Sequence, residues 1–218
     1  MSQDLMECSG GRQRVRNPRG QGSHLREELL EAAIRLLDAG RAPSELSLRS
    51  VASEAGVSPT AVYRHFPDHE ALLLAIRDHA LDLLERYLEA EDPEARRELY
   101  ADASGSVRRR ARAFIRFAVD RPSTYRALLE LSGQHDLDPT RIQVVSQWVT
   151  IAAQRLVEEA GSAADPADVA AVVMAFTHGV SHLHATLPAL RWTDPDRRID
   201  LFVDALVGYL EAHPATPA

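Results

Sequence analysis

Apolar residues recur at intervals of three and four along most of this chain, and no stretch alternates apolar and polar positions as a half-buried strand would. The pattern predicts an all-α protein. From Ser23 to Ala39 the set Leu25, Leu29, Ala32, Ala33, Leu36 and Leu37 forms one stripe, Glu27 and Glu28 occupy the first turn, and Gly40 follows as a stop. In LSLRSVASEAGVSPTAVYRHFP, residues 46–67, Ser47 can cap a helix that buries Leu48, Val51, Ala52 and Ala55. Gly56 supplies the left-handed residue that ends it, Val57 plugs the turn, and Ser58-Pro59 is a cap followed by proline at the first helical position. The second helix turns Val62 and Phe66 inward and Thr60, Tyr63 and Arg64 outward before Pro67 halts it. Two short helices joined by a three-residue turn make a helix-turn-helix, and the preceding helix must pack under them because two short helices alone bury too little.

Asp68 caps the next predicted helix, which runs through Leu72, Leu73, Ile76, Ala80, Leu83, Leu84, Tyr87 and Leu88 to near Ala90. At about 1.5 Å per residue it spans roughly 30 Å, enough to connect two domains. Asp92-Pro93 breaks the chain, Glu94 to Ala103 reads as a weak helix, and Ser104-Gly105-Ser106 reads as a loop or kink. Val107, Ala111, Phe114, Ile115 and Ala118 form the next stripe, on a helix whose outer face holds Arg108, Arg109, Arg110, Arg112 and Arg116. Interleaved with an apolar stripe, these arginines read as a solvated face. Pro122 opens a helix through Tyr125, Leu128, Leu129 and Leu131 that ends near Gly133, and a polar loop leads to Asp138. Asp138-Pro139 starts a helix bearing Ile142, Val145, Trp148, Val149, Ala152 and Leu156, and Gly161 ends it. Asp165-Pro166 starts the most apolar helix, which reaches Leu187, and Asp194-Pro195 starts the last, with Ile199, Phe202, Val203, Leu206 and Leu210. Each Asp-Pro pair is an N-cap followed by proline. The stripes Val172, Phe176, Val180, Leu183, Leu187 and Phe202, Leu206, Leu210 predict a four-helix bundle between two copies of the chain.

Composition narrows the function. With 218 residues, 45% of them hydrophobic, the chain can build one small subdomain and a larger core. A net charge of -7 excludes a protein that coats nucleic acid by bulk attraction, so any DNA binding needs a local basic patch. Arg12, Arg14, Arg16 and Arg19 form one, with no acid between Glu7 and Glu27. Residues 1–22, with Gly10, Gly11, Gly20 and Gly22, read as a flexible basic arm that either follows DNA phosphates and the minor groove or is a solvated tail. All 25 basic residues are arginine, which fits either a genome rich in G and C or bidentate phosphate contacts. The single Cys8 allows no intramolecular disulfide, and residues 1–22 lack the apolar core of a signal peptide. No run of about 18 apolar residues could span a membrane. A cytoplasmic protein with no membrane partner is expected.

Around the helix-turn-helix, the run Ala-Gly-Val-Ser from Ala55, then Tyr63, His65, Phe66 and Pro67, and the Glu-Ala-Leu-Leu that starts at Glu70, resemble the tetracycline-repressor (TetR) family of bacterial transcription regulators. The resemblance covers roughly residues 25 to 76. It implies a DNA-binding headpiece over 23–67 and a helical domain over 68–213 that binds a small molecule and forms a homodimer. Ser47, Arg49, Tyr63 and His65 match positions that typically hold operator phosphates. Lying opposite Val62 and Phe66, Thr60, Tyr63 and Arg64 are expected to face the groove of double-stranded operator DNA, with Pro59 and Ala61 near its floor, where thymine methyls lie, and Ser58 is a further DNA-binding candidate. The chain departs from the family at His69, which stands where a phosphate-meeting lysine is usual and puts that contact in doubt or makes it pH-dependent.

The resemblance also implies an effector cavity, with Phe114, Phe117, Tyr125, Leu128, Trp148, Met174, His178 and His182 as candidate lining and a histidine or Tyr125 orienting a polar group of the ligand. His178, His182 and His184 come nearest to a metal constellation, but Gly179 follows His178 where a zinc hydrolase has glutamate, and no acid lies between Asp168 and Asp194. Thr177-His178-Gly179 is similar to the Trp-His-Gly signature of one class of the family's C-terminal domains, without its tryptophan. With no nucleophile elbow, phosphate loop or dinucleotide fingerprint, neither an enzyme nor a cofactor or metal is expected. The expected function is a sequence-specific repressor released from a near-palindromic operator by a small apolar or aromatic ligand. The alternative is a helical ligand-binding or protein-interaction module that no longer reads DNA.

Overall fold

Helices begin in this protein where an oxygen side chain can take up an unpaired backbone N–H. The Ser47 hydroxyl accepts from Ser50 N (3.1 Å) while Ser50 Oγ accepts from Ser47 N (2.9 Å), a reciprocal cap for α2 (Leu48–Ala55). Asp68 Oδ1 accepts from Ala71 N (2.8 Å) at the start of α4 (His69–Glu91). Asp165 and Asp194 do the same for α8 (Pro166–Thr186) and α9 (Pro195–Ala212), each followed by proline in the first turn. The other helices are α1 (Gly22–Asp38), α3 (Pro59–Tyr63), α5 (Ala103–Asp120), α6 (Pro122–Gln134) and α7 (Pro139–Ala160). The computed structural model describes residues 22–91, 93, 102–134, 139–187 and 194–215. Among these it contains helices, a short 3-10 turn at Pro43–Glu45 and one isolated bridge, Ser162 with Pro214. The expected arm ahead of Gly22, most of the weak helix read from Glu94 and the loop read over 135–138 lie outside the described residues.

One reading is corrected at α5. Ser104, Gly105 and Ser106 are its first turn rather than a loop, because the Asp102 carboxylate accepts from Gly105 N (2.8 Å) and caps the helix one residue before it begins.

Three apolar clusters hold the chain together. The first joins α1, α2, α3 and the start of α4 around Leu29, Leu37, Leu46, Val51, Val62, Phe66, Leu72 and Ile76, and it takes in Ala127 and Leu131 from α6. The second joins α5, α7, α8 and α9, and the third the far half of α4 with α5, α6 and Ala185. Helices α4 and α6 therefore belong to the headpiece and to the C-terminal layers at once. Motion of either is felt by both.

The α5 arginines are not simply a solvated face. Arg108 pairs with Asp204 and Asp200, Arg112 with Asp200 (2.6 Å) and Asp196 (3.2 Å), and Arg116 with Glu91 (3.2 Å). The one-turn spacing of arginines on α5 matches that of aspartates on α9, so the two helices are held in one register. Each such half-exposed pair contributes on the order of 0.2–1 kcal/mol.

The expected dimer stripes are corrected as well. Val180, Leu206 and Leu210 are buried within the subunit, against α5 and α7. Phe176 stacks flat on Phe202 (ring centroids 3.9 Å, 2° apart), tying α8 to α9. Of the predicted stripe Val172 and Leu187 do stay exposed and Leu183 is half-buried; beside them these helices expose Ala175 and Gly179 on α8, and Leu201, Ala205, Gly208 and Tyr209 on α9. A 100° turn per residue puts Val172, Ala175 and Gly179 about 150° from the buried Val173 and Thr177 side of α8, and the α9 set opposite the buried Val203 and Leu210 side of α9.

Candidate DNA-reading surface and effector cavity

Gly56 makes the turn of the helix-turn-helix possible. Its φ of 68° is left-handed, its N–H donates to Ser53 O and Val57 N–H donates to Ala52 O (2.9 Å), which closes α2 and starts the turn. Val62 (0% exposed) and Phe66 (1%) then anchor α3 in the headpiece core. The opposite side of α3 is bare: Ser58, Pro59, Thr60, Tyr63 and Arg64 are exposed, and Ala61 and His65 are half-buried. Ser47 and Arg49 are exposed on the adjacent end of α2, although the Ser47 hydroxyl is engaged in its cap. His69 is exposed too, but its Nε2 lies 2.7 Å from Leu46 O, so one ring nitrogen is occupied in bracing α4 against the loop before α2. Of the ten predicted surface positions eight are thus exposed, and Ala61 and His65 are half-buried.

A narrow cleft opens between α4, α5, α7 and α8, with room for about 70 Å³ of solvent. Its lining includes four of the eight predicted residues, Phe114, Trp148, Met174 and His178, together with Leu88, Val107, Arg110, Ala111, Val149, Val173 and Thr177. The other four are corrected. Phe117 and Tyr125 are wholly buried, Phe117 edge-on against Tyr87 (5.6 Å), and Leu128 fills the same cluster. His182 is exposed, one turn beyond the cleft. Leu88, Val107 and Val173 gave no signal of their own, since in sequence a lining valine and a core valine look alike.

His178 has the most defined environment in the wall. Phe114 meets its ring edge-on at 4.8 Å, and the Tyr125 hydroxyl donates to its carbonyl oxygen at 3.3 Å and lies 3.5 Å from its Nδ1. Burial pushes the Tyr125 phenol up to about 12, so it stays a neutral donor. Burial also holds His178 below the usual histidine value of 6.5, so its imidazole is neutral at pH 7. His184 is turned elsewhere, with Nδ1 2.8 Å from Val180 O and Nε2 3.1 Å from Arg198. Among the described residues no group of three or more His, Cys, Asp or Glu could hold a metal, and no helix is long and apolar enough to cross a membrane.

Residues 29–76 match the family described as bacterial regulatory proteins, tetR family, and residues 107–213 match the tetracyclin repressor-like C-terminal domain. The chain belongs to the TetR family. As a member it is a DNA-binding transcriptional regulator, with a helix-turn-helix headpiece and a C-terminal ligand-binding domain. Among solved structures, a Rhodococcus protein of unknown function is 25% identical over 90% of this chain and all of that one, with a TM-score of 0.71. A tetR-family regulatory protein, also from Rhodococcus, is 18% identical over 88% of this chain and 98% of that one, with a TM-score of 0.62. AibR in complex with isovaleryl coenzyme A and operator DNA is 20% identical over 86% of this chain and 98% of its own, with a TM-score of 0.59.

The neutral state of His178 gives this TetR-family chain a measurable pH signature. Its folded-state value is depressed, so between that value and 6.5 the unfolded chain binds a proton that the folded chain does not. Stability contributed by the site is therefore fully present above about pH 7 and is lost as pH falls. Urea unfolding of wild type and His178→Asn between pH 5 and 7.5 should show a shallower decline in the variant. Parallel curves would show that His178 titrates alike in both states.

Proposed function

We propose that the protein is a homodimeric, cytoplasmic, non-enzymatic repressor that leaves a near-palindromic operator when a small, largely apolar ligand enters the α4–α5–α7–α8 cleft. The carrying observation is a single helix with a foot in each site. α4 starts at His69, braced on the headpiece at Leu46 O, and reaches Leu88 in the cleft wall, 19 residues and about 28 Å further on. A ligand that wedges the cleft open pushes on Leu88 and tilts α4, which carries α3 with it. A shift of a few ångströms in each subunit spoils the match to half-sites one or more helical turns apart. Tenfold weaker DNA binding needs about 1.4 kcal/mol of coupling, which the ligand supplies only by binding the non-DNA conformation better. AibR, seen with both a ligand and operator DNA, supports a fold that engages the two.

In this reading Thr60 and Arg64 meet base edges, Pro59 and Ala61 approach the groove floor beside Ser58, and Ser47, Arg49, Tyr63, His65 and His69 hold phosphates. Dimerisation uses the exposed α8–α9 face. Gly179 and Gly208 have no atom within 4 Å of where a Cβ would stand, so a partner helix can approach their backbones closely.

A gel shift of the purified protein on the intergenic DNA upstream of its own gene tests the reading. A band that resists competitor DNA, and that disappears when a compound which raises the protein's Tm is added, is the expected result. No specific band would remove the regulator reading, and a band unaffected by every stabilising compound would remove the switch.

A further inference from the structure

The cleft is apolar on nearly every side, and most of the polar groups in its wall are committed. The Arg110 guanidinium lies over the Trp148 indole, 5.7 Å from the ring centroid, and makes a further interaction besides. Trp148 Nε1 is sealed from solvent. Thr177 is buried, and its hydroxyl donates to Val173 O (2.8 Å). No aspartate or glutamate stands among the described residues that line the cleft. A cation brought into this wall meets no carboxylate, and an anion competes with the partners Arg110 already has, while either gives up its hydration.

His178 is the exception. Its side chain lines the cleft and is half-buried. The Nδ1 edge is turned to the Tyr125 hydroxyl at 3.5 Å, and Tyr125 is wholly buried and no part of the cleft wall. Nε2, on the far side of the ring, has no hydrogen-bond partner among the described residues and is not sealed from solvent as Trp148 Nε1 is. Tyr125 decides what kind of group Nε2 is. Its one proton goes to the His178 carbonyl oxygen (3.3 Å), so the phenol oxygen presents lone pairs to Nδ1. Burial keeps the imidazole neutral at pH 7, and a neutral ring has a single N–H. On Nδ1 that proton meets an acceptor; on Nε2 it would leave lone pair facing lone pair at Nδ1. Nε2 is therefore an acceptor at the edge of the cleft, and Phe114, edge-on to the ring at 4.8 Å, supplies the apolar surface beside it.

We infer that the cleft takes a compact, uncharged molecule bearing a hydroxyl, with a monocyclic phenol as the simplest case, its O–H donating to His178 Nε2 and its body against Phe114, Leu88 and Val107. This rests on the cleft being the effector site. A phenol, with an ordinary pKa of about 10, enters uncharged at pH 7. The size agrees: at roughly 10–15 Å³ per water on the same measure, 70 Å³ is room for about five to seven waters, comparable to a single substituted ring.

Calorimetry on the full chain with two size-matched pairs, phenol beside toluene and anisole beside ethylbenzene, and with benzoate and benzylamine, tests the inference. The expected result is that phenol binds tenfold or more tightly than toluene, that anisole, whose oxygen can only accept, gains nothing over ethylbenzene, and that both ions bind more weakly than phenol. His178→Phe should bring phenol down to toluene's level while toluene binds as before, and His178→Gln, which keeps an acceptor at a similar reach, should keep part of the gap. Tyr125→Phe takes away the acceptor for Nδ1, so in that variant anisole should gain over ethylbenzene. Phenol no tighter than toluene, a gain for anisole in wild type equal to that of phenol, a phenol preference that survives His178→Phe, or an ion that binds as tightly as phenol would overturn the hydroxyl assignment. If Phe114→Ala still abolishes toluene binding in that case, the cleft stands as the ligand site. Should no compound of the panel bind, both the hydroxyl assignment and the cleft as effector site fall.

Discussion

Glutamates at Ala205 and Gly208 are expected to leave each subunit folded, to reduce the protein to a single-chain mass in light scattering at micromolar concentration, and to abolish operator binding. Both positions are exposed on α9, and a side chain at Gly208 meets nothing within its own subunit. The change is therefore nearly silent for the isolated fold, with an effect on stability of about a few tenths of a kcal/mol from surface substitution. Across a two-fold axis each glutamate faces its own mate or the apolar face around Leu201 and Tyr209, where an unpaired charge is costly. Losing the second headpiece forfeits the gain from linking two binding modules, about a hundredfold to ten-thousandfold. A variant that stays dimeric would place the interface elsewhere. A monomer that keeps wild-type operator affinity would disconnect dimerisation from DNA reading.

The same helices show what a sequence pattern can and cannot carry. Their ends were legible because capping is local: Asp165-Pro166, Asp194-Pro195 and Ser47 act on N–H groups two or three residues away. The helix-turn-helix was legible for the same reason, since Gly56, Val57, Val62 and Phe66 all act within one short span. Which neighbour a stripe meets is a long-range matter. Val180, Leu206 and Leu210 carry the periodicity of an interface, yet they face α5 and α7 of the same subunit, and the exposed face beside them is marked mostly by alanine and glycine, which no hydrophobic count singles out.

The cavity was half legible on similar grounds. Phe114 and Phe117 are both aromatic and three residues apart on α5, but one borders the cleft while the other is sealed against Tyr87, a distinction set by helices brought in from elsewhere. The α5 arginines make the point for charge. Their partners, Asp196, Asp200 and Asp204, lie some eighty to a hundred residues further along the chain, beyond any local rule. Ser104-Gly105-Ser106 has a loop composition, and a single carboxylate at Asp102 was enough to make it helix.

Replacing Arg64 by alanine should weaken operator binding at least thirtyfold while leaving Tm unchanged, because Arg64 is exposed on the side of α3 opposite Val62. A base-edge contact is worth about 1–3 kcal/mol, and a two-fold dimer loses it twice, so the loss is roughly 2–6 kcal/mol. Arg49→Ala should behave differently. A phosphate contact carries no sequence information, so its loss weakens operator and unrelated DNA about equally and makes log Kd less steep in log salt by about two per dimer. Tyr63, 51% exposed, brings a neutral hydroxyl to the backbone, and Tyr63→Phe should lower affinity without altering the salt slope. Titrations of the three variants on operator and random duplexes, at several salt concentrations, separate these signatures. If Arg64→Ala and Tyr63→Phe combined bind the operator as wild type does, α3 does not enter the groove by this face. The exposed edge formed by Ser58, Thr60 and Arg64 would then need another role, because Val62 and Phe66 leave α3 no second orientation in the headpiece core.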